Sequence, residues 1–278
     1  MRKSDDTNGF DDQPIQSVAK ALKILDTFSS DHMEWGIREL SRETGINPTT
    51  IFRMVNTLTN AGYLERNPLT QGVTLGPQVM KLAGLYAGQN PLPKVAQKVF
   101  EEFADRFEHN FYLGKLSQFR VIYLAVLDGR GPIKITTEAG GVTNLHSTGL
   151  GKSILAFQDS NFIHEYFQYT QLDHYTDKTI DSKEELVSQL ALVKEQQYAV
   201  NSGEQYDDVG AVAVPLIPRT GPVTMAVALA YPQHLITEKR LDLNNLIGLT
   251  REIGSEIMAR YEPTRWAEYV DVRPFRNL

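Results

Sequence analysis

Within the run Thr44-Gly45-Ile46-Asn47-Pro48 one helix has to stop and another has to start. Gly45 adopts the left-handed backbone that closes a helix without steric cost. Asn47 is a strong N-cap, and proline is tolerated in a first helical turn, where its missing N–H is not needed. The stretch before this run, Ile37–Thr44, fits a short helix, and the stretch after it carries Ile51, Val55 and Leu58 on one face until Ala61-Gly62 ends it. Upstream, Ser17 serves as N-cap for a helix with Val18, Ala21, Leu22, Leu25 and Phe28 at the 3.6-residue period. Downstream, residues 63–66 and Val73–Leu75 read as strands around the turn Asn67-Pro68-Leu69-Thr70-Gln71-Gly72, a β-hairpin. Helix, tight turn, helix and hairpin is the geometry that lays a second helix in the major groove of DNA with a wing beside the backbone.

In that geometry Leu40, Ile46, Ile51 and Val55 form a small shared core. Asn47, Thr49, Thr50, Phe52, Arg53, Asn56 and Thr57 are left to be divided between groove and solvent. Thr49 and Thr50 can donate to phosphates or meet a thymine methyl, and Arg53 can pair with guanine or phosphate. Arg66 and Asn67 would place the wing against the backbone. The same pattern also fits a module that docks to a protein partner. Charge bears on the choice: the formal net charge is −6, yet residues 13–81 hold seven basic side chains against six acidic ones. From Pro91 onward nineteen basic residues face twenty-four acidic ones. A near-neutral module on an acidic body still binds DNA if its basic groups face one way, and a symmetric dimer doubles its phosphate contacts.

The chain has 278 residues, 41% of them hydrophobic and 22% charged, which is the composition of a folded protein of about two domains. It contains no cysteine, so disulfides, thiolate metal sites and a cysteine nucleophile are excluded, and a reducing, cytoplasmic home fits. The first thirteen residues, with Asp5, Asp6, Asp11 and Asp12 and no apolar run, read as a disordered arm, neither signal nor transit peptide. The longest apolar runs, residues 209–217 and 223–231, are too short to cross a bilayer and look like buried strands. No membrane association is expected.

Val79, Leu82, Ala83 and Tyr86 stand at helical spacing, so a connecting helix should follow the hairpin until Gly88-Gln89-Asn90-Pro91 breaks it. Beyond it, helices are expected at 93–108, 150–157, 161–167 and 183–197, the last opened by Ser182 and Glu185 as a capping box. Strands are expected at 111–116, 121–127, 133–137, 198–201, 211–217 and 223–230, before a final helix through Leu246, Ile253 and Ile257 to Tyr261. This is an α/β (α+β) body in two layers, helices flanking a largely antiparallel sheet.

Gly149-Leu150-Gly151-Lys152-Ser153, opening a helix, suits an anion, because free backbone N–H groups and the helix dipole converge there. A small carboxylate fits. The run matches only the end of a nucleotide phosphate loop, whose first glycine would stand where the chain has His146. His146 is either an imidazolium pairing with an anion or a hydrogen-bonded core histidine. Asn201 either meets a ligand's hydroxyl, carbonyl or carboxylate or closes a turn at a strand end. Tyr112, Tyr123 and Phe111 either line a cavity or belong to the core. The six histidines show no metal-ligand spacing, no nucleophile elbow exists, and Asp207 with Asp208 suits a loop better than paired carboxylate chemistry. Neither catalysis nor a metal or other cofactor is expected.

The sequence resembles the IclR family of bacterial transcriptional regulators from about Ile15 to Tyr261. The matching residues are Gln16-Ser17-Val18, Ala21-Leu22-Lys23-Ile24-Leu25, Leu40, Gly45, Thr50-Ile51-Phe52-Arg53, Leu58 and Ala61-Gly62-Tyr63-Leu64, then residues 145–153, Tyr198-Ala199-Val200, Glu204 and Val212-Ala213-Val214-Pro215. The resemblance implies an N-terminal winged helix-turn-helix domain, a connecting helix and a C-terminal α/β effector-binding domain. It also implies a homodimer or dimer of dimers. On this reading residues 1–13 are the arm, 14–76 the DNA-binding domain, 77–90 the linker helix, 91–262 the effector-binding domain and 263–278 a tail. That tail's three aromatics and three arginines either pack on a subunit or fray. The DNA-binding set becomes Asn47, Thr49, Thr50, Phe52, Arg53, Thr57 and Arg66. The resemblance places effector-binding backbone groups at Gly149 and Leu150 and side chains at Asn201 and Ala211, with His146 beside them. Pro48 stands where a basic or polar residue is common, Asn201 where Asp is usual, and Asp208 where Gly is usual. The expected partners are double-stranded DNA carrying a pseudo-palindromic operator, a small organic acid and a second copy of the chain. The rival reading is a small-molecule-binding protein that docks to a protein partner.

Overall fold

The computed structural model describes residues 14–29, 31–131 and 137–261. They fall into two compact units, one ending at Tyr86 and the other beginning at Ala87. The arm (1–13) and the tail (263–278) lie outside the described residues.

In the first unit α1 (Gln16–Leu25), α2 (Ile37–Thr44) and α3 (Pro48–Asn60) precede a hairpin of β1 (Leu64–Arg66) and β2 (Val73–Leu75). The turn between α2 and α3 forms as its residues dictate. Gly45 takes φ +71°, the Asn47 side chain accepts from the Thr50 amide at 2.9 Å, and Pro48 occupies the first turn. Leu40, Ile46, Ile51 and Val55 are buried together with Ile24, Trp35, Leu64 and Val73.

Two expectations for this unit are corrected. Ser17 does not cap α1, which begins a residue earlier with Ile15 in the cap position and no side-chain cap. The buried positions of α1 are Ala19 and Ile24, while Val18 and Leu22 are about half exposed. Its apolar residues span more than half the helix circumference, so periodicity alone does not select which part meets the core. Trp35 bridges to β2 from outside the hairpin by exchanging two 2.9 Å backbone bonds with Val73.

The next helix, α4 (Gln78–Gln89), stops at Asn90-Pro91, within the breaking run read from the sequence. None of its residues is buried.

The second unit contains α5 (Leu92–Phe103), β3 (Asn110–Ser117), β4 (Arg120–Leu127), β5 (Val142–Asn144), α6 (Gly149–Leu155), α7 (Ser160–Tyr169) and α8 (Lys183–Gln196). There follow β6 (Ala199–Ser202), β7 (Val209–Pro215), β8 (Met225–Pro232), α9 (His234–Thr237) and α10 (Leu243–Arg260). The six strands form one antiparallel sheet in the order β5-β4-β3-β8-β7-β6. Of the strand expected at 133–137, residues 133–136 lie outside the described residues; among the described residues β4 pairs with β3 on one side and β5 on the other.

The continuous apolar runs of β7 and β8 require cover on both sheet faces. The body accordingly has three layers where two were expected. On β8, Met225, Val227, Leu229 and Tyr231 join the core under α5 and α10, while Ala226, Ala228 and Ala230 join the core under α6, α7 and α8. Phe111 belongs to the first core and Tyr112 to the second. This alternation leaves small side chains where the start of α6 meets the sheet. A Cβ on Gly149 would stand 3.3 Å from that of Ala213 and 3.7 Å from that of Ala211. No helix among the described residues is long and apolar enough to cross a membrane.

Candidate functional site

On α3, Thr49, Phe52, Arg53 and Thr57 are exposed and Thr50 is half-buried, opposite the buried Ile51 and Val55. The helix has no acidic residue. Among the described residues the Arg53 guanidinium makes no ion pair or side-chain hydrogen bond, whereas Thr57 donates its hydroxyl to the Arg53 carbonyl at 3.0 Å. Asn47 is exposed, but its carboxamide oxygen is committed to the cap.

Arg66 lies at the turn end of β1 and is turned back onto α3. It donates to the Asn56 carboxamide oxygen at 2.9 Å, and its guanidinium stands 5.5 Å from the centre of the Phe52 ring. Phe52, Asn56 and Arg66 thus form one joint between recognition helix and wing. Asn56 has no place in the DNA-binding set drawn from the sequence; its spacing of four from Phe52 is the signal that puts both on one helix face. Glu34, from the segment before α2, is bonded by both Asn67 and Thr70 of the hairpin turn. No local sequence signal announces that contact.

At the start of α6 the Thr148 hydroxyl caps the Gly151 amide at 3.0 Å. The first-turn amides of Gly149 and Leu150 have no intrahelical carbonyl to serve them. Beside them, on the same sheet face, Asn201 pairs across strands with Ala211. Tyr112 and Tyr123 also belong to this side, with ring centres 5.3 Å apart. Burial pushes both phenols well above their ordinary values, so they remain neutral hydrogen-bonding groups.

The polar side chains expected to face a ligand are largely bonded to the chain. Asn201 donates to the Ser147 carbonyl at 3.1 Å and accepts from the Gly203 and Glu204 amides at 3.0 and 2.9 Å, so it closes a turn. His146 is fully buried, with Nδ1 3.3 Å from the Tyr166 hydroxyl and Nε2 3.1 Å from the Asp173 carbonyl. Burial lowers its pKa. A neutral ring that accepts from Tyr166 and donates to Asp173 satisfies both contacts, which corrects the imidazolium reading in favour of a core histidine.

Lys152 is fully buried too. Its ammonium lies 2.5 and 2.7 Å from the Glu204 carboxylate oxygens and 2.9 Å from the Val200 carbonyl. Burial pulls the lysine down and the carboxyl up, and each partner opposes the other's shift. A lysine held this way is not available to a phosphate. Glu204 is further anchored through its carbonyl, which accepts from the Thr179 hydroxyl at 2.6 Å. The buried Ser147 hydroxyl has no hydrogen-bond partner among the described residues.

A cavity of about 110 Å³ opens elsewhere, beside Phe107, Phe111, Leu127 and Arg130; of the residues considered for a ligand cavity it includes Phe111 but not Tyr112, Tyr123, His146, Gly149, Leu150, Asn201 or Ala211. Among the described residues no three His, Asp or Glu side chains are grouped to hold a metal ion.

Residues 17–68 match the IclR helix-turn-helix domain, and residues 85–259 match the C-terminal domain of the bacterial transcriptional regulator IclR. The HTH-type transcriptional regulator XynR of Escherichia coli K12 is 30% identical over 219 residues, covering 78% of this chain and 86% of that protein. The crystal structure of an IclR transcriptional regulator from Silicibacter sp. TM1040 superposes with a TM-score of 0.79 at 26% identity, covering 88% of this chain and 95% of that one. An IclR homologue from Microbacterium hydrocarbonoxydans, solved in complex with 4-hydroxybenzoate, shares the fold with a TM-score of 0.72 at 21% identity, covering 87% and 98%.

Proposed function

This chain belongs to the IclR family of bacterial transcriptional regulators, and on that premise we propose that a small organic acid, taken up in its C-terminal unit, alters its hold on a pseudo-palindromic operator. The observation that carries the DNA-contacting part is the outer face of α3. Thr49, Phe52 and Arg53 stand exposed on a helix without acidic residues, Thr50 is half-buried beside them, and the positive end of the helix dipole lies at the same end. In this reading Arg53 pairs with guanine or phosphate and the threonines meet phosphates or a thymine methyl. Asn47 and Arg66 act mainly by holding α3 and the wing in place.

The effector reading is supported by the amides of Gly149 and Leu150 at the start of α6 and by the unpartnered hydroxyl of Ser147. It is also supported by the 4-hydroxybenzoate held by the Microbacterium homologue, a carboxylate. With Lys152 neutralised and His146 uncharged, a carboxylate would be met by backbone dipoles rather than by a free cation. A second copy of the chain fits the apolar side chains of α4, of which Met80, Leu82, Leu85 and Tyr86 are exposed. Two copies would double the phosphate contacts and match operator symmetry. The effector acts if it binds the DNA-competent and incompetent arrangements with different affinity, and α4 is the proposed transmitter.

Selection of genomic fragments by the purified full-length protein, repeated with Arg53→Ala, tests the reading. The expected result is one enriched palindrome, lost in the variant, with a salt slope about 1 lower for each subunit. Weak, sequence-blind retention that no candidate acid converts to specific binding would overturn it in favour of protein docking.

A further inference from the structure

Arg66 is the one basic residue of the hairpin between Leu64 and Leu75, and it is engaged with α3. The turn itself, Asn67 to Gly72, carries no charge. A wing of this composition cannot grip DNA by neutralising phosphates.

The turn is nevertheless held in one shape. The Asn67 carboxamide accepts from the Leu69 amide at 3.0 Å and donates to Glu34 at 3.1 Å, and the Thr70 hydroxyl donates to the same carboxylate. Gln71, at φ +61°, donates its side-chain amide to the Pro68 carbonyl at 3.1 Å. Backbone bonds from Asn67 to Gly72 and from Gln71 to Asn67, both 2.9 Å, close the loop. None of these bonds uses the side chain of Leu69, which is 92% exposed. A single exposed leucine is ordinary on a protein surface. This one stands on a braced loop whose root is fastened to the exposed face of the recognition helix.

We propose that Leu69 is a DNA-contacting residue that enters the minor groove flanking the bases met by α3, so that the wing reads groove shape and not phosphate charge. The inference rests on α3 lying in the major groove. The floor of the minor groove carries only acceptors at A·T pairs, while G·C adds the guanine amino group. An apolar side chain offers that amino group no acceptor and is crowded by it. Leucine is among the apolar side chains that minor-groove proteins set against base steps. An A·T flank is therefore the preferred partner.

The test uses the duplex that the full-length protein selects from a random-sequence pool, remade with A·T, G·C or inosine·C pairs in its flanks. Inosine·C has the major groove of G·C and a minor groove without the amino group. The protein is expected to bind A·T and inosine·C flanks alike and G·C flanks about fivefold or more weakly, the lower end of a single base-pair effect. Leu69→Ala should weaken binding to the A·T duplex, abolish the preference, leave the salt slope unchanged and melt like the parent protein. Leu69→Lys should add a phosphate contact and steepen the slope by about 0.9 for each subunit.

If the parent protein shows no difference between G·C and inosine·C flanks, or Leu69→Ala keeps the preference, the inference is overturned while the role of α3 stands. If the protein selects no sequence at all, the role of α3 fails first and this inference with it.

Discussion

Three polar residues gathered near the start of α6, His146, Lys152 and Asn201, are bonded within the protein; the sequence leaves His146 and Asn201 open between meeting a ligand and serving the fold. Each is buried, and a buried polar group that lacks a partner loses its hydration without compensation. The partners here are the Tyr166 hydroxyl with the Asp173 carbonyl, the Glu204 carboxylate, and the Ser147 carbonyl with two amides of the following turn. One consequence is a pH dependence. Burial lowers the pKa of His146 and of His109, so from about pH 6.5 downward the unfolded chain takes up protons that the folded chain refuses. The stability gained by keeping these rings neutral is fully present above that pH and is lost as the pH falls towards their folded values. The urea midpoint should therefore drop between pH 7.5 and 5.5, and drop less in His146→Gln. Equal slopes for variant and parent would remove His146 from this account.

At the level of elements, the first turn of α6 sets two glycines with different duties side by side. A Cβ on Gly151 would lie 2.3 Å from the Asn144 carbonyl oxygen and 2.5 Å from the Leu145 Cα, both backbone atoms that cannot swing aside. A Cβ on Gly149 would meet the methyl groups of Ala213 and Ala211, at 3.3 and 3.7 Å, and the Ala211 carbonyl oxygen at 3.7 Å, all outside hard overlap. Gly151→Ala is expected to cost about 2–3 kcal/mol or more, at the upper end for overpacking, and Gly149→Ala under about 1 kcal/mol. Thermal unfolding of the two variants checks this, and equal melting temperatures would mean that α6 can shift to make room. The same close approach explains why the sheet face beneath α6 is built of alanines: larger side chains would lift the helix start away from Asn201 and Ala211.

For the whole molecule the telling element is α4, where Met80, Leu82 and Leu85 are each at least half exposed. α1 adds Ile15, Val18 and Leu22, about half exposed or more. Apolar stripes of this kind on a folded chain mark surfaces that another chain covers, and in the proposed dimer that chain is a second copy. The double substitution Leu82→Glu with Leu85→Glu should yield a monomer in sedimentation that still unfolds cooperatively, since neither side chain is buried within its own chain, with a melting temperature lower only by what the second copy contributes and no longer dependent on protein concentration. Operator affinity should fall by about 10²–10⁴, the gain that linking two sites supplies. A dimer that persists in this variant would move the self-contact elsewhere.

The pair α2–α3, its turn and the hairpin were legible because each of their signals is local. A left-handed glycine, an asparagine that bonds an amide three residues on and a proline in a first turn act over a few residues, whatever lies around them. That β7 and β8 are buried strands was legible for a related reason, since a strand apolar at every position tolerates no exposed face, but the two-layer body drawn from the sequence left out the second helical layer that such burial requires. Other features were settled only by tertiary structure. These are the side of α1 that meets the core, the bridge from Trp35 to the wing, the three-residue strand β5 and the inward turn of Lys152 towards a carboxylate 52 residues away. In each, the chain offers several partners of similar local quality, and packing of distant segments selects among them. Residue pattern together with the family resemblance thus marked Gly149, Asn201 and Arg66 as positions of consequence, whereas whether each meets a ligand or braces the fold depends on neighbours brought in from elsewhere in the chain.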